Sequence, residues 1–394
     1  MGELYDPFSP QVHEDPYPIY RALRDEYPLY RNGQHGYWVL SRFDDVWDTV
    51  HDPATYSSAQ GIFPTQRDVA TEVLLPMIIM MDPPRHDELR GLVSRAFTPR
   101  RISTMEDTIR EVAVECTKEL VEHGGGDAVE TLAAPLPTIV IAELLGVGRA
   151  DQADFRRWSD ALVRGTPDDK ATFHAALGAA TALYDYFAHV TADRRRRPRD
   201  DLVTALVEAQ DGDRMLSDEE LLGFCFLLLV AGNETTTNLI TNGLAALAAH
   251  PEQRVTVASD RSLVAAAVEE TLRYDAPVQG LARTLTRNVE AYGTTMAAGD
   301  RLLILFGSAN RDDREFDDAD RFDVTRRIDR HLAFGHGIHY CLGAALARLE
   351  ARIALDELLA RAPDYEIDDD AAERLRSGPV RGFERLPLAV NAQV

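Results

Sequence analysis

The predicted element that most constrains the fold of this chain is a long apolar helix that begins after Ser217. Glu220 follows Ser217 at the three-residue spacing of a capping box, which is the signature of a helix N-terminus. The helical pattern then runs for about thirty residues toward His250, whereas an average helix has about 11–12. Because this helix is apolar almost all round, we expect it to cross the middle of the molecule.

The rest of the chain predicts a mainly α fold with small β-sheets. Residues 84–275 read as almost entirely helical, and a last helix is predicted over residues 342–361. Strand patterns occur near residue 29 and at residues 37–40, 283–287, 291–295 and 302–306. No internal repeat or linker-like stretch is visible, so residues 1–394 are predicted to form one domain.

Composition and charge exclude several classes of function. The formal net charge of -23 argues against nucleic acid as a partner, since a phosphate backbone needs a basic surface. The three cysteines have unrelated spacings and do not form a disulfide framework. The N-terminus lacks the pattern of a signal peptide, and the longest apolar run, residues 224–231, is far below the ~18 residues of a membrane span. We therefore expect a cytoplasmic protein without a membrane anchor.

Polar residues are predicted to interrupt the central helix at residues 231–237, AGNETTT. Burying an acid and three threonines costs free energy unless they are paired or functional. Threonine hydroxyls can bond back to helix carbonyls, so a capped kink is one interpretation. The other interpretation is a proton relay beside a bound oxidant.

The sequence FGHGIHYCLG, residues 334–343, places Cys341 between glycines and directly before a helical run. Glycine lets the backbone turn tightly and approach a flat partner. The helix that follows points its free N–H groups at the sulfur, which lowers a thiol pKa and favours the metal-binding thiolate. This pattern suggests an iron porphyrin.

Two other interpretations of Cys341 exist. A lone cysteine is more often a small buried hydrophobe than a ligand. Zinc is the second, because His336 and His339 lie nearby. Structural zinc sites usually need four ligands in two separated pairs, and neither Cys116 nor Cys225 belongs to such a pair.

Two weaker motifs place charged groups on one helical face. Glu270 and Arg273 are three residues apart, a spacing that favours an ion pair. His86 and Arg90 are four residues apart and could grip an anion, although both patterns are also common on solvated helices.

Taken together and in this order, these motifs resemble the cytochrome P-450 superfamily of haem-thiolate monooxygenases, specifically its soluble bacterial members. The resemblance covers essentially the whole chain. In the cysteine loop, the matching residues are Phe334, Gly337, Cys341 and Gly343. In the two helices, they are Ala231, Gly232, Glu234, Thr235, Thr236, Glu270 and Arg273.

The resemblance implies a single triangular α-rich domain, with haem b between the central helix and the helix that follows the cysteine loop. Cys341 is then the axial iron ligand. The other residues implied to bind haem are His86, Arg90, Ala231, Arg283, Phe334, His339 and Gly343. Of these, His86, Arg90, Arg283 and His339 match positions that hold the propionates, which need cationic donors.

The resemblance also implies a structural role for Glu270 and Arg273, which should pair with Arg321 beneath the haem. The family usually has prolines within residues 316–320, and this chain has none. Thr235 is implied to hydrogen-bond the bound oxygen and Glu234 to relay protons, so that one atom of O2 enters the substrate. Retention of both residues favours this activity over one rival, a peroxide-driven peroxygenase. A second rival, a non-catalytic haem or ligand-binding protein, would be distinguished by NADH consumption coupled to product.

The expected substrate is a mostly hydrophobic small molecule. The polar member of the implied pocket is Gln279, expected to orient the substrate by a hydrogen bond. The implied pocket residues are Leu75, Ile78, Leu227, Val278, Gln279, Leu281 and Phe383.

Electrons are implied to come from NAD(P)H through a reductase and a small acidic ferredoxin, which docks on a monomeric enzyme. Docking on this acidic chain needs a local basic patch. An ordinary solvated arginine face is the alternative interpretation of the candidates, which are Arg95, Arg100, Arg101, Arg348 and Arg352.

Overall fold

The fold is described from a computed structural model, which covers residues 3–64, 76–148, 150–164, 170–211 and 214–391. The α-helices are α1 Pro10–Glu14, α2 Tyr17–Glu26, α3 Phe43–His51, α4 Arg85–Ala96, α5 Pro99–Ser103, α6 Glu106–Glu122, α7 Pro135–Leu144, α8 Gln152–Arg164, α9 Lys170–Arg196, α10 Leu202–Glu208, α11 Asp218–Ala249, α12 Pro251–Ser259, α13 Val264–Tyr274, α14 Phe306–Ala309 and α15 Ala344–Arg361. Short 3₁₀ turns are Ile78–Met80, Arg261–Leu263 and Gly337–His339, and Val129–Ala133 is a π-helical turn.

The strands are short and form small sheets. They are β1 Leu29–Arg31, β2 Trp38–Leu40, β3 Tyr56–Ser57, β4 Gly125–Asp127, β5 Gln210–Asp211, β6 Arg214–Met215, β7 Leu281–Leu285, β8 Val289–Ala291, β9 Thr294–Met296, β10 Arg301–Ile304, β11 Tyr365–Ile367, β12 Glu373–Arg374, β13 Phe383–Arg385 and β14 Pro387–Val390. The largest sheet has the order β1-β2-β10-β7-β3, and only its β2–β10 pair is parallel. A three-stranded sheet has the order β11-β14-β4. The predicted mainly α fold with small sheets is confirmed.

Helix α11 is the long central helix that the sequence predicts. Its N-terminus carries the predicted capping box, in which the Ser217 hydroxyl accepts from the Glu220 N–H and the Glu220 carboxylate accepts from the Ser217 N–H. The helix packs against α7, α13 and α15, within the main hydrophobic core.

The predicted interruption of the central helix is wrong, because α11 is helical from Asp218 to Ala249. Gly232 has a packing role there: a Cβ on this residue would lie 2.7 Å from Ile141 Cδ1 of α7. The absence of a side chain at Gly232 thus leaves room for the end of the Ile141 side chain, and this packing offsets the low helix propensity of glycine.

The cysteine loop is packed against α3 by its backbone. Gly337 has a φ of +67°, and a Cβ there would lie 2.3 Å from the Val50 carbonyl oxygen. Only glycine fits both this conformation and this close approach. The loop then leads into α15, which lies against α11 and α13. Within the described ranges, no helix is long and apolar enough to cross a membrane.

Candidate active site

Cys341 lies at the end of a constrained loop directly before α15. Its backbone N–H donates to the Phe334 carbonyl at 3.0 Å, which closes the loop, and Gly343 is the N-cap residue of α15. Arg348, one helical turn into α15, stacks its guanidinium 4.5 Å from the centre of the Phe334 ring. The glycines and the helix start therefore fix the position of one sulfur atom.

The electrostatics of the Cys341 thiol are only partly as predicted. Burial raises its pKa, and this effect exceeds the opposing effect of the N–H groups of Gly343 and Ala344 and of the positive charges of Arg90 and Arg348. The start of the helix does favour the thiolate, but it does not lower the thiol pKa overall. A cation bound to the sulfur would supply the missing stabilisation.

Four basic side chains converge beside the loop. The rings of His86 on α4 and His339 in the loop lie 4.6 Å apart, centre to centre. Arg90, one turn after His86, donates to the Tyr340 carbonyl at 2.7 Å. Arg283 on β7 is 5% exposed and donates to the Ala282 carbonyl.

This basic cluster is only partly balanced by acids among the described residues, since the Asp87 carboxylate lies 2.9 Å from His86 Nδ1 and Asp82 acts on Arg283 at longer range. His86 Nε2 and His339 Nε2 are buried without a hydrogen-bond partner, and no described carboxylate lies within ion-pair distance of Arg283. Burial lowers the pKa of Arg283 to about 10. Burial and the neighbouring Arg283 lower the pKa of His339 to about 3. Such a cluster fits a ligand that carries carboxylates of its own.

Helix α11 carries an acid and an alcohol at adjacent positions, Glu234 and Thr235. The Thr235 hydroxyl donates to the Ala231 carbonyl at 2.6 Å, so the predicted bond back to the helix is present. Ala231 is exposed although it lies in the middle of a central helix, so an open space lies beside it. Glu234 is half-buried, and burial raises its pKa to about 7. An acid with this pKa can both hold and release a proton near neutral pH.

The described residues offer no suitable set of ligands for zinc. Across the residues the structure describes, no group of three His, Cys, Asp or Glu side chains could hold a metal ion. The Nδ1 atom of His336 instead lies 2.7 Å from the Nε2 atom of His51. Cys116 and Cys225 are buried free thiols in α6 and α11.

Comparison with known proteins identifies the family. The family model described as Cytochrome P-450 matches residues 155–362. Cytochrome P-450 130 of Mycobacterium tuberculosis is 43% identical over 405 aligned residues, which cover 100% of this chain and 98% of that protein. This chain belongs to the cytochrome P-450 family. It is a monooxygenase whose family cofactor is haem, as the sequence predicts.

Two further similarities extend over nearly the whole chain. Vitamin D(3) 25-hydroxylase of Pseudonocardia autotrophica is 41% identical over 98% of this chain and 97% of that protein. The structure of cytochrome P-450 CYP109Q5 from Chondromyces apiculatus matches with a TM-score of 0.90 and 39% identity, over 99% of this chain and 98% of that one. Members of this family receive electrons from redox partners and bind small-molecule substrates.

The residues of this cytochrome P-450 fit haem. The two unpartnered histidine nitrogens, with Arg90 and Arg283, suit the two propionates, and the thiol of Cys341 suits the iron. The fit rests on side chains from α4, the cysteine loop and β7, which are far apart in sequence. These residues remain candidates for holding the cofactor.

Glu270 and Arg273 form a fully buried ion pair on α13. The Arg273 Nε and Nη2 atoms donate to the two Glu270 carboxylate oxygens, both at 2.7 Å. The prediction that Arg321 completes this pair is wrong for its side chain, which is 61% exposed and faces Asp323. Only the Arg321 carbonyl takes part, accepting from Arg273 at 3.0 Å. Arg326 supplies the second guanidinium, 3.3 Å from Glu270.

The structure also corrects the predicted role of Gln279. Its amide is buried, accepts from the Tyr20 hydroxyl at 3.0 Å and donates to the Ala276 carbonyl at 2.7 Å. These bonds direct the amide toward α2 and leave it unavailable to orient a substrate.

The remaining pocket candidates differ in burial. Phe383 is 7% exposed and stacks beneath Arg374 as part of the main core, while Leu75 lies outside the described residues. Four apolar candidates are partly buried, namely Ile78, Leu227, Val278 and Leu281.

The predicted docking arginines are less free than the sequence suggests. Arg348 forms two hydrogen bonds with Glu269, at 2.6 and 3.0 Å. Although burial raises the Glu269 pKa, hydrogen bonds from His331 and Arg348 lower it to about 2. Other carboxylates face Arg101 and Arg352, namely those of Asp200 and Glu106.

Proposed function

We propose that this enzyme inserts one oxygen atom from O2 into a mostly hydrophobic small molecule. The electrons would come from NAD(P)H through a reductase and a ferredoxin-type protein. The observation that carries the proposal is the acid–alcohol pair Glu234 and Thr235 on α11, a central helix that packs against α15, the helix that follows Cys341. The proposal treats residues 1–394 as one monomeric catalytic domain that acts in the cytoplasm.

Each part of the chain has a separate task in this proposal. Haem, when bound, supplies oxygen activation and the oxidation itself. The thiolate of Cys341 and the basic cluster hold the cofactor. Glu234 holds a proton at its carboxyl group, and Thr235 passes it on once its hydroxyl turns from the Ala231 carbonyl into the pocket.

Two observations support a hydrophobic substrate that is hydroxylated. The partly buried pocket candidates Ile78, Leu227, Val278 and Leu281 are all apolar. A relative that is 41% identical is named a vitamin D(3) 25-hydroxylase, which acts on a large apolar molecule. A substrate of similar size and polarity is therefore our proposal for this enzyme.

A groove between α13 and α15 supports the docking of an electron donor near the cysteine loop. It has a volume of about 400 Å³, and the apolar residues that line it include Val268 and Leu349. The charged residues that line it are Glu269, Arg348 and Arg352. An acidic donor would have to compete with Glu269 for Arg348, so its docking should weaken as salt concentration rises.

Changing Thr235 to alanine tests the proposed function. We expect the variant to bind haem and substrate normally, but the product formed per NADH to fall at least about tenfold, with peroxide released instead. The assay measures NADH consumption, peroxide and product with a ferredoxin and reductase added. Thr241→Ala is the matched control, because its hydroxyl also bonds back to α11. Full coupling in Thr235→Ala would remove the relay role, and turnover with peroxide alone would favour a peroxygenase.

A pH profile tests Glu234 separately. If Glu234 must be protonated to supply protons, turnover should fall as pH rises through about 7, its raised pKa. Glu234→Gln should be slower than the wild type at pH 6 and should lose this pH dependence. Glu219→Gln, which changes an exposed acid in the first turn of α11, should behave like the wild type. An unchanged pH profile in Glu234→Gln would exclude this residue as the titrating group.

A further inference from the structure

The chain loops away from the largest sheet directly after β3. β3 pairs with β7 through Tyr56 opposite Leu285 and Ser57 opposite Thr284. Residues 58–61 then leave the sheet through a turn, in which Gly61 has a φ of +92°. The chain returns to β7 at Ile62, whose carbonyl accepts from the Ala282 N–H at 2.7 Å. Within the turn the Ser58 carbonyl accepts from the Gly61 N–H at 3.0 Å, and the carbonyls that follow are open to other donors.

Arg301 on β10 supplies those donors. Its Nη1 atom donates to the carbonyls of Gln60 and Gly61, both at 3.1 Å, and to the Thr284 hydroxyl at 2.7 Å. Its Nη2 atom donates to the Phe63 carbonyl. No carboxylate in the described part of the chain forms an ion pair with Arg301. The guanidinium of Arg301 therefore binds backbone carbonyls and does not neutralise a carboxylate among the described residues.

The turn held by Arg301 is bonded to β7, the strand that carries the pocket candidate Leu281. Ile62 is 7% exposed and bonds to Ala282, the neighbour of the pocket candidate Leu281. Arg301 lies opposite Thr284 in the β7–β10 pair, while Arg283 lies opposite Leu302. Successive strand residues point to opposite faces, so Arg301 and the haem-binding candidate Arg283 lie on different faces of the sheet. Leu281 is two residues from Arg283 and shares its face, so Arg301 acts on the Leu281 side of the sheet only through the backbone of the turn.

We propose that Arg301 is a positioning residue for substrate binding, which holds residues 60–63 against β7 and so fixes the pocket wall beside Leu281. This inference rests on the proposed function. A ligand large enough to reach that wall depends on Arg301, because a wall that is already ordered lowers the entropic cost of binding. The binding of a ligand that is small enough to contact only the iron does not depend on Arg301.

Two azoles of different size test this role in the haem-loaded enzyme. Optical titration measures the Kd of imidazole, which is small, and of clotrimazole, which is bulky. In Arg301→Met we expect clotrimazole to bind about tenfold more weakly and imidazole to bind within about twofold of the wild type. Arg301→Lys keeps the charge and some of the bonds, so its clotrimazole Kd should be intermediate. Arg31→Met, on the opposite edge of the same sheet, is the control.

The outcomes separate this inference from the proposed function. Equal ratios of the two Kd values in wild type, Arg301→Met and Arg301→Lys would overturn the positioning role. A parallel loss of affinity for both azoles would also overturn it, because it would indicate damage to the haem site. If Arg301→Met fails to retain haem, the two azole Kd values of Arg301→Lys test the positioning role instead. Absence of a thiolate-type CO spectrum in the wild type would instead contradict the proposed function.

Discussion

Arg273→Met should destabilise the folded enzyme by about 3–5 kcal/mol, because it leaves the buried Glu270 carboxylate without its main partner. Arg273 bonds to several parts of this region at once. Besides Glu270, its guanidinium donates to the carbonyls of Asn310, Ala319 and Arg321. These bonds fasten the segment before the cysteine loop to α13. Urea unfolding of the holoenzyme, followed by circular dichroism, measures the change.

Two arginines of the same region calibrate this prediction. Arg326→Met removes a weaker contact with Glu270, at 3.3 Å, and should cost less than Arg273→Met. Arg321→Met changes a side chain that is 61% exposed and should alter the unfolding free energy by less than about 0.5 kcal/mol. A large loss of unfolding free energy in Arg321→Met, with none in Arg326→Met, would instead make Arg321 the partner of Glu270, as the resemblance implies.

Arg273 and Arg321 also show why part of this site could be predicted and part could not. Glu270 and Arg273 are three residues apart on one helix, so a local rule places them together. The second guanidinium comes from residues 310–333, an irregular segment whose path depends on many long-range contacts. No local pattern distinguishes Arg326 from Arg321 as the partner. Resemblance favoured Arg321, although the absence of prolines in residues 316–320 already made that assignment weaker.

The same distinction applies to the two sides of the candidate active site. The central helix and the cysteine loop carry strong local signals, a capping box and a glycine-flanked cysteine before a helix, and the structure contains both. The interruption predicted at residues 231–237 was wrong because propensity does not register the packing of Gly232 against Ile141. Gln279 was misassigned because its partner Tyr20 is 259 residues away in the chain.

Replacing Cys341 with alanine should abolish the thiolate-type CO spectrum of the enzyme. Mutating even the outer partners of a metal ligand typically costs about 10–100-fold, so loss of the ligand itself should lower monooxygenase activity by more than about 100-fold. Because burial raises the pKa of this thiol, its ionised form depends on the bound iron as well as on the N–H groups of α15. The spectrum of the reduced CO complex therefore reports directly on this sulfur.

The amount of haem that a variant retains distinguishes the role of the iron ligand, Cys341, from that of the basic cluster. The basic cluster of His86, Arg90, Arg283 and His339 does not depend on the sulfur, so Cys341→Ala should still hold some haem while losing the thiolate band. Cys341→Ala combined with Arg283→Met should lose most of that haem, because one propionate then lacks its buried cation. Cys116→Ala, which removes a buried thiol of α6, should leave the CO spectrum unchanged. A thiolate band that persists in Cys341→Ala would move the iron ligand to another residue and contradict the site described for this enzyme.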